Sequence, residues 1–246
     1  MANVTSNSVA AGRFLQRWMP YIVVSPLFAI SLSIVGCMII GLLLAVLLDQ
    51  RIRAEGFLRT LYLYPMALSF IVTGTAWKWI LNPTLGMESF VRGMGFPNFK
   101  FDWLVDPQMA IYTVVIAGVW QSSGYVMALF LAGLWSVDDE ILKAAAIDGA
   151  GSLRTFGSII LPIIRLVFFS SLIILSHLAI KSFDLVMALT AGGPGYATDM
   201  PATFMYSFAF QRSELGTAAA SAVMMLVTIT AIIIPNLYSE LRRGTK

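Results

Sequence analysis

Few residues of this chain belong to the types that catalyse reactions or bind metals. The 246 residues include one histidine, His177, and one cysteine, Cys37. A Ser-His triad, a histidine metal centre or a multi-cysteine site needs more of these groups than the chain supplies. The sequence also lacks a G-x-x-x-x-G-K-[ST] phosphate-binding loop. We therefore expect no catalytic residue, no metal site and no bound cofactor in this chain.

Two charged side chains inside an apolar run indicate a different chemistry, the recognition of a polar solute within a membrane. Lys181 and Asp184 interrupt the run 166–192. Charges in a membrane span usually face a cavity or each other, because lipid does not solvate them. Their spacing places both on one helical face. There they either line a solute path or form an ion pair that fixes helix packing, and His177 is interpreted as a packing residue.

A polar patch lies in the middle of another apolar run, 109–137. Gln121, Ser122 and Tyr125 supply hydrogen-bonding groups there, and Trp120 adds an aromatic face. Such groups suit a hydroxyl-rich solute, so the patch is a candidate part of a solute path. The alternative is that Gln and Ser join neighbouring helices through hydrogen bonds.

The connector 136–162, called the coupling segment below, carries the most specific pattern. The S-x-x-D sequence from Ser136 to Asp139 favours a helix start with acidic groups at its positive end. Gly149 suits a helix end that needs a positive φ. The pattern predicts a surface helix of about three turns. Small and apolar residues form one face that could enter a groove on another protein: Ile141, Leu142, Ala145 and Ala146.

The coupling segment resembles the signature of ABC-importer permeases, E-A-A-x-x-D-G-A, five residues, then F-x-x-I-x-L-P. The agreeing residues are Ala144, Ala145, Asp148, Gly149, Ala150, Phe156, Ile159, Leu161 and Pro162. The leading Glu of the signature is Lys143 here. In that family the segment is a coupling helix that docks into a cleft of the ATP-hydrolysing subunit. The resemblance implies the same role for these residues, with Ile141 and Leu142 on the docking face.

Further motifs resemble carbohydrate-importer permeases of the maltose and glycerol-phosphate type, most of all glucose and mannose permeases. They are Phe57-Leu58-Arg59-Thr60, Trp77-Lys78-Trp79, Lys181-Ser182-Phe183-Asp184 and Gly192-Gly193-Pro194-Gly195. The resemblance implies a permease subunit for ATP-driven, binding-protein-dependent uptake of a monosaccharide across the bacterial inner membrane.

Partner proteins follow from the same resemblance. It implies a second homologous permease, two ATP-binding subunits that bind ATP and Mg, and a periplasmic or lipid-anchored sugar-binding protein. The net charge of +3 is small and its Lys and Arg lie in short connectors, so nucleic acid is not an expected partner. The alternative function is an ion-coupled secondary transporter, which would need inverted repeats and broken helices at the midplane. Neither is evident in the sequence.

The elements that must position these residues are membrane helices. Hydrophobic residues make up 58% of the chain and charged residues 12%, about half the usual charged share of soluble domains. Five apolar runs are long enough to span a bilayer. They are 19–48, 60–77 (extending to 81), 109–137, 166–192 and 215–238. The sequence thus predicts an all-α polytopic permease domain, 19–246, after an N-terminal tail, 1–18.

The connectors also predict sidedness. The set that includes the coupling segment and the C-terminus holds nine Lys and Arg residues against four in the other set, which places it in the cytoplasm. Connectors 82–108 and 193–213 then lie outside, the former as a turn with a short interfacial helix. Five spans would put residues 1–18 outside with Arg13 and Arg17, against the charge rule.

The first apolar run has an unusual length. Its 30 residues, 19–48, make a helix of about 45 Å, too long for one upright span and too short for two. Strong tilt, a break at Pro26 or a missing piece each explain it. The resemblance implies six core spans with a loop between the first two, and this chain passes from the first span directly into the second.

Overall fold

A computed structural model describes the backbone of residues 2–50 and 55–244, with side chains for 26–50, 55–231, 233 and 234. Every regular element within these ranges is a helix, and no strand occurs among them. The all-α prediction is confirmed.

The N-terminal helix is continuous. Helix α1 runs from Ala2 to Asp49, so residues 2–18, expected to form a tail, continue the same helix. Its stretch Pro26–Asp49 is 24 residues long and apolar enough to cross a membrane. The helix passes through Pro26 without a break, which removes one of the three explanations for the long run. Cys37 is buried, as small packing residues in helix contacts are.

The second predicted span, 60–81, is broken. Helix α2 is Glu55–Ala67 and helix α3 is Phe70–Ile80, with residues 68 and 69 between them outside any helix. The end of α2 tightens, since the Leu68 N–H donates to the Pro65 carbonyl at 3.2 Å, an i→i−3 bond typical of a helix end. Hydropathy is continuous across this break, and for that reason the sequence pattern predicted one helix.

The third predicted span is confirmed. A short helix α4, Met87–Gly93, lies in connector 82–108 as predicted. It is followed by α5, Ala110–Trp135, which has 26 residues and the length and composition of a complete span. Val126, Met127 and Phe130 are fully buried, so α5 supplies much of the core.

The fourth predicted span, 166–192, has different bounds. Helix α6, Asp139–Ile147, precedes α7, Ser152–Ile163, and α7 joins α8, Arg165–Ile180, at a bend of 65°. A π-helical turn at Phe156–Ile160 comes just before Pro162, which has no N–H to donate, and both features bend helices. Helix α9, Asp184–Leu189, is separate.

The chain ends in α10, Pro201–Tyr206, a π-helical turn, Ser207–Gln211, and α11, Leu215–Gly244. Among the described residues, two helices are long and apolar enough to cross a membrane, and up to four spans result if each broken pair counts as one. The apolar stretch Leu215–Ala231 of α11 is shorter than a full span within the side chains that the structure describes.

The helices group into two compact units. The first unit contains the chain up to residue 32, 70–117 and 180–225, and the second contains 33–69, 118–179 and 226 onwards. In the first unit α3 crosses α9 closely, since a Cβ at Gly74 would lie 2.9 Å from the Leu185 carbonyl oxygen. In the second unit α5 meets α2 at Gly124, where a Cβ would lie 1.9 Å from the Tyr62 carbonyl oxygen. Small residues thus permit backbone contact, as is usual between membrane helices.

Candidate functional site

The coupling helix, α6, begins two residues later than predicted. Asp138 is its N-cap, with a side-chain oxygen that accepts the Glu140 N–H at 2.9 Å. The Ser136 hydroxyl instead donates back to the Gly133 carbonyl at 2.7 Å, so the predicted S-x-x-D cap is wrong. Asp139 and Glu140 still occupy the first turn, where their charge favours the helix.

The end of α6 confirms the prediction for Gly149, which has a φ of +75°. The Ala150 N–H bonds to the Ala145 carbonyl at 3.0 Å, and the Gly149 N–H to the Ala146 carbonyl at 3.1 Å. This pair of bonds is the Schellman pattern, which satisfies the last carbonyls of a helix. The turn after α6 is therefore fixed by the backbone of Gly149.

The exposed face of the coupling segment differs in part from the predicted one. Ala145 is buried against its own chain, so it does not face outward, and Leu142 is half-buried. Ile141 is 44% exposed, whereas Ile147 and Leu153 are 86% and 90% exposed. These two apolar side chains were missed because they lie outside the signature. Signature residues that are exposed are Lys143, Ala144, Asp148, Gly149, Leu161 and Pro162, with Ala150 half-buried.

Lys143 lies on the exposed side of α6. Asp139 lies four residues before it, a spacing that allows an ion pair on one helix face. Within the described residues, however, the ion pairs are Glu55–Arg59 and Glu88–Arg92. Both Lys143 and Asp139 are exposed, and solvent weakens the attraction between them.

Arg59 links the start of α2 to the end of α5. Its guanidinium bonds to Glu55 one turn earlier and lies 4.6 Å from the ring centroid of Trp135. Trp135 is the last residue of α5, directly before the coupling segment. The contact holds the entry to that segment against α2.

Gln121 in the α5 patch has a structural partner. It is buried, and its Nε2 donates to the Leu68 carbonyl at 2.9 Å, just beyond the end of α2. This bond favours the helix-joining interpretation for Gln121. Its Oε1 accepts no hydrogen bond from the part of the chain that the structure describes. Ser122 and Tyr125 are half-buried, and Trp120 is 41% exposed.

Lys181 and Asp184 do not share a helical face. Helix α8 ends at Ile180, a turn closes with the Phe183 N–H on the Lys181 carbonyl at 2.7 Å, and α9 begins at Asp184. Both charged residues are exposed and form no ion pair in the described structure. The predicted shared face and pair are therefore wrong, because the spacing argument assumed one continuous helix. His177 is also exposed, on the last turn of α8.

A cavity that sequence reasoning missed lies in the first unit, between the end of α9 and the π-helical turn after α10. Its volume is about 220 Å³. The sequence signal nearby is Gly192-Gly193-Pro194-Gly195, and glycine and proline in such a cluster favour a chain reversal. The reversal is confirmed by positive φ values at Ala191, Gly192 and Gly195.

The sequence of the chain matches a family of known transport proteins. Residues 38–243 match the family described as binding-protein-dependent transport system inner membrane component. The chain is 37% identical over 213 residues to a probable ABC transporter permease protein of Pyrococcus horikoshii, across 86% of this chain and 73% of that protein. It is 39% identical over 210 residues to the xylose/arabinose import permease protein of Haloferax volcanii, across 85% and 66%. With an sn-glycerol-3-phosphate transport system permease protein of Agrobacterium fabrum the identity is 32%, across 85% and 71%.

The fold matches solved structures as well. A bacterial ABC transporter involved in the import of the acidic polysaccharide alginate has a chain with a TM-score of 0.79 and 20% identity. The similarity covers 92% of this chain and 79% of that one. A second structure, of the alginate transporter in complex with a pentasaccharide-bound periplasmic protein, gives the same TM-score. At this identity the likeness establishes the fold.

Proposed function

The chain belongs to the binding-protein-dependent transport system inner membrane components, and we propose that it imports a monosaccharide such as glucose or mannose. It is a permease of the inner membrane, where its role is transport and not catalysis. The observation that carries the ATP-driven part of the proposal is the coupling segment, whose fixed turn at Gly149 presents Ile147 and Leu153 outward.

Energy for uptake must reach this chain from elsewhere, since its sequence contains no phosphate-binding loop. We assign that role to two ATP-binding subunits, which bind ATP and Mg and contact the coupling segment. Exposed apolar side chains beside a rigid backbone turn suit a docking contact, because they add buried area while the backbone between them needs little further ordering. A second homologous permease and a periplasmic or lipid-anchored sugar-binding protein complete the assembly that we propose.

The choice of a sugar rests on two supports. One is the naming of relatives for xylose and arabinose, for trehalose and maltose, and for starch degradation products. The other is the α5 patch, where Trp120 and Tyr125 present aromatic faces and Gln121 keeps one amide oxygen free of described partners. Lys181 and Asp184, exposed at the break between α8 and α9, are the charged part of the proposed solute path.

Ion-coupled transport remains the alternative to test. The breaks after α2 and after α8 meet its requirement for interrupted helices, although no internal repeat is evident in the sequence. The breaks are also compatible with a binding-protein-dependent permease, because non-helical backbone at membrane depth is tolerated where it lines a water-filled path.

Uptake by the reconstituted complex tests both functions. The chain is incorporated in liposomes with its partner permease and ATP-binding subunits, and the binding protein is added outside. We expect uptake of labelled D-glucose or D-mannose that requires internal ATP and the binding protein. Uptake driven by a proton or sodium gradient without ATP would support the alternative. ATP-dependent uptake of xylose or glycerol 3-phosphate alone would correct the substrate.

A further inference from the structure

The cavity in the first unit is lined by side chains that recognise polar solutes. It is bounded by the chain reversal after α9, by α10 and by the π-helical turn that follows. The lining supplies a carboxylate, a guanidinium, an amide, a hydroxyl and two phenol rings. These belong to Asp199, Arg212, Gln211, Thr203, Tyr196 and Tyr206.

The carboxylate of Asp199 forms the inner wall. Asp199 is 8% exposed, and one of its oxygens accepts a hydrogen bond from the Thr203 hydroxyl. The Thr203 oxygen in turn accepts the Met200 N–H at 2.7 Å, which fixes the hydroxyl in place. Burial raises the pKa of the Asp199 carboxyl, while hydrogen bonds from Thr203 and Met200 and the charge of Arg212 oppose that rise. The carboxyl is therefore held rigidly by the first turn of α10.

The guanidinium of Arg212 lines the same cavity without forming an ion pair with Asp199 in the described structure. Arg212 donates to the Tyr196 hydroxyl at 2.5 Å, and its guanidinium lies 4.4 Å from the ring centroid of Phe208. Asp199 and Arg212 form no direct ion pair in the described structure. Two opposite charges thus face one cavity across a gap. A ligand that both donates and accepts hydrogen bonds can bridge such a gap.

The size and charge of the cavity limit the class of ligand that can bind there. At about 220 Å³ it is smaller than the roughly 300–1,000 Å³ of sites for drug-sized ligands, which favours one ring over a chain of sugars. A buried carboxylate disfavours an anion, and the facing guanidinium disfavours a cation. A sugar hydroxyl can donate a hydrogen bond to a carboxylate such as Asp199 and accept one from a guanidinium or amide such as Arg212 or Gln211. The rings of Tyr196 and Tyr206 offer apolar faces to the C–H groups of the sugar.

We propose that this cavity is a second sugar site, which holds one neutral monosaccharide ring in the connector before α11. The solute class rests on the proposed function. The Lys/Arg distribution predicts that this connector lies outside, where sugar arrives. The site would then receive the solute before it enters the membrane path.

Site-specific labelling tests the proposal in the complete complex of permeases and ATP-binding subunits, without the binding protein. The probe sugar is whichever of D-glucose, D-mannose and D-xylose the wild-type complex imports. Ser207 lines the cavity and Glu214 does not, so S207C and E214C are each made in a C37A background. We expect saturating sugar to slow maleimide labelling of S207C at least fivefold and to leave E214C unchanged. Adding D199N or R212Q should raise the sugar concentration for half-protection at least tenfold.

Two controls separate the possible failures. The first control is the chromatographic profile and the co-purification of the ATP-binding subunits, which verify the assembly of each variant. The second is E214Q, added to S207C in place of D199N, because it also removes a negative charge but lies outside the cavity. If the complex imports sugar but S207C is not protected, or protection survives both D199N and R212Q, the second site is wrong and the proposed function stands. If the wild-type complex imports none of the three sugars, the proposed function itself fails.

Discussion

The α2–α5 crossing and the end of α6 each depend on a glycine, for opposite reasons. At Gly124 an added Cβ would lie 1.9 Å from the Tyr62 carbonyl oxygen. At Gly149 an added Cβ would meet nothing within 4 Å, but φ is +75°. The first glycine is required by a neighbouring helix and the second by its own backbone. A side chain is therefore excluded from the buried crossing by lack of space, whereas at the exposed turn it is disfavoured by the backbone conformation.

Replacing Gly124 should have the largest effect in this chain. In Gly124→Ala the new methyl group meets backbone that no rotamer change can move, so helices α2 and α5 must separate. Overpacking of this kind costs about 1–3 kcal/mol, and occasionally more. We expect a clear loss of thermal stability and of assembled complex, measured by size-exclusion chromatography after heating.

The matched control for Gly124 is Gly216→Ala. Gly216 lies in α11 with nothing within 4 Å of an added Cβ. Because Gly216 is the second residue of the helix, helix propensity predicts at most about 1 kcal/mol in favour of alanine there. Equal stability losses in the two variants would show that the α2–α5 contact is not as close as described.

Substitution at Gly149 should instead separate coupling from stability. A β-branched residue at positive φ is a strong outlier, while asparagine tolerates that conformation. We therefore expect Gly149→Val to abolish most sugar-stimulated ATP hydrolysis, and Gly149→Asn to keep most of it. The thermal midpoint of the membrane part should change little in both. If valine and asparagine lower ATP hydrolysis equally, positive φ is not the requirement.

The sequence predicts the turn at Gly149 better than the crossing at Gly124, because the first depends on neighbouring residues and the second on a distant part of the chain. The turn at Gly149 was predictable, because cap residues and φ preference act over a few neighbouring residues. The crossing at Gly124 was not, because it depends on a carbonyl 62 residues away in the sequence. The break after α2 was missed for a related reason. Hydropathy stays high across residues 68 and 69. A hydropathy pattern indicates which residues lie in the membrane, but it does not indicate whether the helix is continuous there.

The Asp199 cavity shows the same limit. Its lining residues come from α9, the reversal after it and two further short helical pieces within the first unit, and no spacing rule brings them together. By contrast, a spacing rule did place Lys181 and Asp184 on one helical face. That prediction failed because the helix ends at Ile180. Local sequence patterns predicted local geometry, but they did not predict that α8 ends at Ile180, and this helix end determines where Lys181 and Asp184 lie.

Arg59 lies between the two extremes, since it joins the α2–α5 region to the coupling segment. Arg59→Lys keeps the charge near Glu55 but loses the planar stacking on Trp135. Cation–π contacts at partly exposed sites contribute about 0.5–1 kcal/mol. We expect a small fall in thermal midpoint and up to a twofold fall in sugar-stimulated ATP hydrolysis. A double-mutant cycle with Trp135→Leu checks the contact, because additive losses would mean that the two side chains do not interact.

Lys143 should give the smallest effect, although it is where the coupling signature carries a glutamate. The side chain is exposed on α6 and, among the described residues, makes no ion pair with Asp139. An exposed i,i+4 pair would in any case contribute only about 0.3–0.5 kcal/mol. Lys143→Ala therefore removes a solvated charge and leaves the N-cap at Asp138 and the turn at Gly149 intact. We expect sugar-stimulated ATP hydrolysis within about twofold of wild type, which corresponds to roughly 0.4 kcal/mol.

A tenfold fall with Lys143→Ala, with normal activity in Gly149→Asn, would mean that charge at position 143 contacts the ATP-binding subunit directly. Coupling would then depend on that charge more than on the shape of the turn.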